Sequence, residues 1–227
     1  MSGEIGDYKQ LFPETSIPVI LSSIAQAGAV LRKKTDTDRE DWLTRRLRAQ
    51  IIKVPEFRES PLGIWVQPEI PAPDPDANAP GGRIDLLVSC DGGPEVYFAI
   101  EAKRLSFRSP NGRKISGSSE YVKDGMMRFV TGQYAPHMRA GAMLGYVFDG
   151  NVESARSNID KSIRKKAPQL KLADPKCLVP SSILSKTPID ETRHDLTRRP
   201  FTIYHVFVDV GTGRSIGDRK PPGQACG

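Results

Sequence analysis

Two apolar stretches on either side of a turn sequence constrain this chain more than anything else in it. RIDLLVSC (83–90) and VYFAIEAKRL (96–105) are rich in β-branched and aromatic residues, and the intervening DGGP (91–94) is turn-forming. They predict an antiparallel hairpin. Three charged residues interrupt its apolar pattern. Glu101 and Lys103 stand two apart and project from one face of the second strand, while Val96, Phe98, Ile100 and Ala102 alternate onto the other. Asp85 interrupts the first strand in the same way. Burying such groups in central strands is costly unless they pair with one another or hold a metal ion.

The flanking sequence supplies an order of elements. TDREDWLTRRLRAQIIKV (37–54) carries Leu43, Leu47, Ile51 and Val54 at helical spacing, and Pro55 is expected to stop it. GIWVQPEIPA (63–72) predicts a strand, and PAPDPDANAPGG (71–82) a loop. After the hairpin, 106–119 predicts a polar loop. A second helix over about 119–134 places Val122, Met126, Phe129, Val130 and Tyr134 on an apolar face. GAMLGYVFDG (141–150) predicts a buried strand, Asn151 starts a third helix, and FTIYHVFVDV (201–210) forms the last strand. The expected organisation is one domain over 1–227, with an N-terminal extension over 1–36 and a loose Gly/Pro-rich tail over 211–227.

Two carboxylates converging across a hairpin beside a lysine make a hard-oxygen site suited to Mg²⁺, with Mn²⁺ as a substitute. Such a metal holds a scissile phosphate and lowers the pKa of a bound water. The Ala102 carbonyl is a further candidate ligand. Lys103 serves either as a general base, its pKa pushed down, or as a cation that stabilises the transition state. The alternative is structural: a buried salt bridge that only fixes strand register.

RIDLLVSC, DGGPEV and YFAIEAKRL resemble the active-site hairpin of the PD-(D/E)XK nuclease superfamily, which includes many restriction enzymes. The helix–three strands–helix–strand order around them is similar to that superfamily's common core, over about 37–150, with Ile84 in place of the motif's proline. The resemblance implies a restriction-endonuclease-like α/β fold, with a mixed sheet of about five strands flanked by helices in the order αβββαβ, then αβ. It implies a Mg²⁺-dependent phosphodiesterase, an endonuclease with DNA preferred to RNA, in bacterial restriction or antiviral defence. Asp85 and Glu101 would be metal ligands and Lys103 the catalytic lysine. Many members add an acid from the first core helix, and Glu40 matches that position; Thr37-Asp38-Arg39-Glu40 also fits a capping box, in which Glu40 only satisfies backbone N–H groups. The other reading of the whole chain is a catalytically silent nuclease fold that binds nucleic acid or scaffolds a complex. A homodimer or larger defence complex is the expected assembly.

The formal charge of +6 suits a polyanionic partner. Arg104, Arg108, Arg113 and Lys114 follow the active-site strand and would grip a phosphate backbone without reading sequence, and Arg128 on the second helix is a further candidate contact. Arg45, Arg46 and Arg48, with the Arg164-Lys165-Lys166 run, extend that surface or are solvated helix faces, the ordinary reading of a charge run. His137, His194 and His205 show no metal-ligand spacing, and His205 is expected to be a satisfied core or surface histidine. The three cysteines, Cys90, Cys177 and Cys226, form no zinc or disulfide pattern, which points to a reducing cytoplasm. No stretch is long and apolar enough to predict a membrane span.

Overall fold

The computed structural model describes residues 12–70, 76, 78–90, 96–197 and 199–211. Seven strands form its central sheet: β1 Leu62–Val66, β2 Leu86–Cys90, β3 Tyr97–Leu105, β4 Ala140–Val147, β5 Val179–Pro180, β6 Ile189–Leu196 and β7 Arg199–Asp209. Their order across the sheet is β1-β2-β3-β4-β7-β6-β5. β3 pairs in parallel with β4, and β4 in parallel with β7, while the other neighbours are antiparallel. The architecture is therefore mixed α/β. β2 and β3 pair as the hairpin pattern predicts, with Leu86 opposite Ile100 and Ser89 opposite Tyr97; the turn itself falls outside the described residues.

Helices α1 (Ile17–Val30) and α2 (Glu40–Ile51) cover one face of the sheet. The other carries α3, over 118–130, and α4 (Val152–Lys165). α1 shows that the supposed N-terminal extension contributes to the core from Phe12 onward, burying Ile17, Ile20, Leu21, Ile24 and Ala27. α2 ends at Ile51, and Pro55 opens a further short helical turn, Pro55–Arg58, where its missing N–H costs nothing. α3 is π-helical over Tyr121–Met126 and stops at Val130, short of the expected Tyr134. Gly132, at φ 78°, takes the left-handed conformation that ends a helix there. The expected loop over 106–119 contains a small ribbon, Phe107–Arg108 paired with Lys114–Ile115. The proposed tail from 212 onward lies outside the described residues.

The sheet has seven strands where about five were expected, chiefly because β6 carries no apolar period. Its sequence, IDETRHDL, is polar, yet Asp190, Glu191, Thr192 and His194 are buried. Each is satisfied. Arg156 of α4 grips Asp190 with two hydrogen bonds of 2.6 and 2.7 Å, and Ser182 N–H and Arg193 serve Glu191.

The β6–β7 hairpin also brings His194 and His205, eleven residues apart in sequence, to one hydroxyl. Thr192 Oγ1 lies 2.9 Å from Nε2 of each ring, Tyr121 Oη 2.9 Å from His205 Nδ1, and Leu170 O 2.7 Å from His194 Nδ1. Only one direction satisfies this chain with neutral rings. His194 Nδ1–H donates to Leu170 O, Thr192 donates to His194 Nε2, His205 Nε2–H donates to Thr192, and Tyr121 donates to His205 Nδ1. The expectation of a satisfied core histidine fits His205, which is fully buried.

Burial holds both rings neutral. It lowers His194 from 6.5 to about 4, and His205 well below its ordinary value, with His194 and Arg156 adding to the depression. The unfolded chain protonates both rings near their ordinary range, so their stabilisation is complete above about pH 6.5 and is lost as the pH falls toward 4. Between pH 6.5 and 5 the loss from His194 alone should be on the order of 2 kcal/mol. Thermal unfolding across this range checks it, and a His194→Gln variant should show a flatter pH dependence. A smaller effect is expected at α4. Its N-cap, Asn151, accepts a 3.0 Å hydrogen bond from Ser154 N–H, so Asn151→Ala should cost about 1 kcal/mol by chemical denaturation.

Candidate active site

β3 is a central strand with both faces covered, so its charged residues are surrounded by core. Glu101 is 1% exposed and the Lys103 side chain 14%. β2 begins only at Leu86, after the chain bends at Asp85, whose Oδ2 accepts the Ala102 N–H at 2.8 Å. Lys103 Nζ donates to Glu101 Oε1 at 2.6 Å and to the Ala102 carbonyl at 2.7 Å, and lies 3.5 Å from Glu40 Oε1. Asp85, Glu101, Ala102, Lys103 and Glu40 thus meet in one cluster.

Glu40 takes no part in a capping box. Arg39 is the N-cap and makes no side-chain cap, and Asp38 turns back to bind Lys34 N–H, Thr35 and Arg46. Glu40 reaches across to β3 instead, where Oε2 accepts the Arg104 N–H at 3.0 Å.

The electrostatics follow from burial. Glu101 is pushed up to about 8, first by desolvation and then by the Asp85 charge, against the pull of Lys103 and Arg128. Glu40 rises for the same leading reason, opposed by Lys103. Burial works against the Lys103 ammonium, but Glu101, Glu40 and Asp85 outweigh it and hold its pKa above the ordinary lysine value. One atom is left over: Glu101 Oε2 is buried with no hydrogen-bond partner. A buried carboxyl oxygen is satisfied by a proton of its own, a water or a cation. Among the described residues, no group of three or more His, Cys, Asp or Glu side chains is gathered as a metal cage.

The basic residues divide. Arg108, Arg113 and Lys114 stand exposed on the ribbon beside the end of β3, with Arg108 donating to Gly112 O at 3.0 Å. Arg104 lies over the Phe107 ring, 4.3 Å from its centroid, and donates to Asp38 O. Arg128 donates to Glu101 Oε1 at 2.8 Å and is ion-paired in the cluster. It also donates to the hydroxyl of Tyr134, which in turn donates to Arg83 O at 2.6 Å. The sequence pattern places Tyr134 on the apolar face of the second helix; with the helix ended at Val130 and a turn at Gly132, its hydroxyl meets Arg128 instead.

No protein-family model matches this chain, and no curated protein or solved structure matches it. Among the described residues no helix is long and apolar enough to cross a membrane.

Proposed function

We propose that this chain is a metal-dependent nuclease of the PD-(D/E)XK type, hydrolysing phosphodiester bonds of nucleic acid. DNA in cytoplasmic restriction or antiviral defence is the setting we favour. The observation that carries the reading is the unpartnered Glu101 Oε2, buried beside Asp85, Glu40 and Lys103. The order α2–β1–β2–β3–α3–β4 supports the superfamily assignment, because its acids and lysine fall where that core would use them.

The residues present fit a Mg²⁺ ion. Mg²⁺ is commonly held by one or two carboxylates, with water and substrate oxygens completing its shell, so a protein cage of three acids is not required. Glu101, Asp85 and the Ala102 carbonyl would hold it, with Glu40 at the margin. When bound, such an ion supplies Lewis-acid polarisation of the phosphate and a more acidic water. Lys103 keeps its ammonium between Glu101 and Glu40, where it compensates negative charge building on the phosphoryl oxygens. Arg128 pairs with the same Glu101 oxygen, Oε1, as Lys103 does.

The test is incubation of purified protein with supercoiled plasmid, linear duplex and single strands, in Mg²⁺, Mn²⁺ or EDTA. Cleavage should require a divalent ion and disappear in Asp85→Ala. Cleavage that survives both Asp85→Ala and Lys103→Ala would sink the proposed site, and binding without cutting would favour a silent scaffold.

A further inference from the structure

Two cations share Glu101 Oε1, and they are held unequally. The Lys103 side chain is 14% exposed, donates to the Ala102 carbonyl as well, and stands 3.5 Å from Glu40. The Arg128 side chain is 34% exposed, and Glu101 is its one ion-pair partner among the described residues.

Arg128 is nevertheless aimed by a fixed support, the turn that follows α3. Its Nη1 donates to the Tyr134 hydroxyl as well as to Glu101, and the guanidinium lies 5.2 Å from the Tyr134 ring centroid. Tyr134 in turn donates to Arg83 O at 2.6 Å, and Gln133 Nε2 donates to Gly81 O at 3.0 Å. A Cβ built on Gly82 would meet Gln133 Nε2 at 3.0 Å and Tyr134 Cε1 at 3.3 Å. The turn is thus packed on the segment that leads into Asp85, and it holds the guanidinium against Glu101.

A charge count gives this contact a meaning. Asp85, Glu101 and Glu40, when ionised, set three negative charges against the two positive ones of Lys103 and Arg128. A divalent ion added to these carboxylates turns a deficit of one positive charge into an excess of one, in a site where burial makes imbalance costly. One cation is then surplus, and Arg128 is the more weakly held.

We propose that Arg128 is a stand-in cation, which holds the place of a divalent ion on Glu101 and sets the metal affinity of the site by competing for that carboxyl. This rests on the nuclease reading above and deepens it. Loss of the guanidinium also favours a proton on Glu101, which opposes metal binding. A divalent ion carries twice the charge of a proton and gains twice as much from losing the same neighbour, so the net change is toward the metal.

The readout is Mn²⁺ binding without nucleic acid, followed by the electron paramagnetic resonance signal of the free ion. Arg128→Ala should bind Mn²⁺ about tenfold more tightly than the parent protein. Arg128→Lys, which keeps the charge on a different stem, should fall between the two. Tyr134→Phe keeps the guanidinium but removes the hydroxyl that holds it, so binding should tighten in the same direction by less. That variant tests the proposal even if Arg128→Ala does not fold. Adding Asp85→Ala to either variant should abolish the tightened binding, which places it at this site. Mn²⁺ binding by the folded variants that equals the parent's, or is weaker, would overturn the proposal. If the parent shows metal-dependent cleavage alongside that result, this inference fails and the nuclease reading stands. Tightened, Asp85-dependent Mn²⁺ binding without cleavage of any substrate leaves the inference standing and removes the nuclease. Absence of Asp85-dependent Mn²⁺ binding from every variant and the parent overturns the two together.

Discussion

Lys103→Met should lower phosphodiester cleavage by at least about 100-fold while leaving nucleic-acid binding within a few-fold of the parent protein. The substitution keeps the aliphatic stem and removes only the ammonium. That ammonium donates to Glu101 Oε1 and Ala102 O and stands 3.5 Å from Glu40. Its charge is worth most when negative charge develops on the phosphate in a water-poor site, so the loss belongs in kcat rather than KM. Single-turnover rates with saturating enzyme separate the two. Arg128 still pairs with Glu101 Oε1 in the variant, so the Glu101 carboxylate keeps one cation. A variant that binds and cuts normally would remove Lys103 from the chemistry and leave it as a fixer of strand register.

The second large effect is on stability. Gly117 has φ +72°, and a Cβ built there would fall 2.1 Å from the Arg104 carbonyl oxygen. Gly117→Ala therefore meets two penalties, a left-handed backbone for a residue with a side chain and a clash with backbone that has nowhere to retreat. We expect a loss of about 3 kcal/mol or more, and a fall in Tm of about 10 °C for a chain of this size. Gly112→Ala is the control. Its φ of +80° carries the conformational penalty, but nothing lies within 4 Å of the added atom, so its cost should be about 1 kcal/mol. Gly117 also ties the start of α3 to the end of β3, where Arg104 N–H holds Glu40. Residual activity in Gly117→Ala should therefore fall even at temperatures where the protein remains folded.

The legible parts of this molecule were those with a strong local period. α2 announced itself through Leu43, Leu47 and Ile51, α4 through Ala155, Ile159 and Ile163 behind the Asn151 cap, and the β2–β3 hairpin through its apolar strands. Glu101 and Lys103 stood out because charge is rare in such a strand. What local pattern could not show is satisfaction at a distance. β6 is polar in sequence because its buried groups are paired by Arg156, Ser182 and the Thr192 hydroxyl, all set by tertiary contacts. The Thr37–Glu40 segment fits two arrangements equally well locally; the choice is made by Arg104 N–H, more than sixty residues away. Arg128 is of the same kind, drawn into the cluster by Glu101.

In the proposed function Glu101, with its unpartnered oxygen beside Asp85 and Lys103, is the working carboxylate of a metal-dependent cleavage centre. The measurement that tests it most directly compares cleavage by the parent protein and Glu101→Gln across a Mg²⁺ titration, with Tm recorded for both. Glu101→Gln keeps the side-chain shape and removes the group that can ionise to bind a cation. The expected result is Mg²⁺-dependent cleavage by the parent, a loss of at least about 100-fold in the variant, and a Tm that does not fall enough to explain it. Cleavage that persists without divalent ions, or a fully active Glu101→Gln protein, would contradict it.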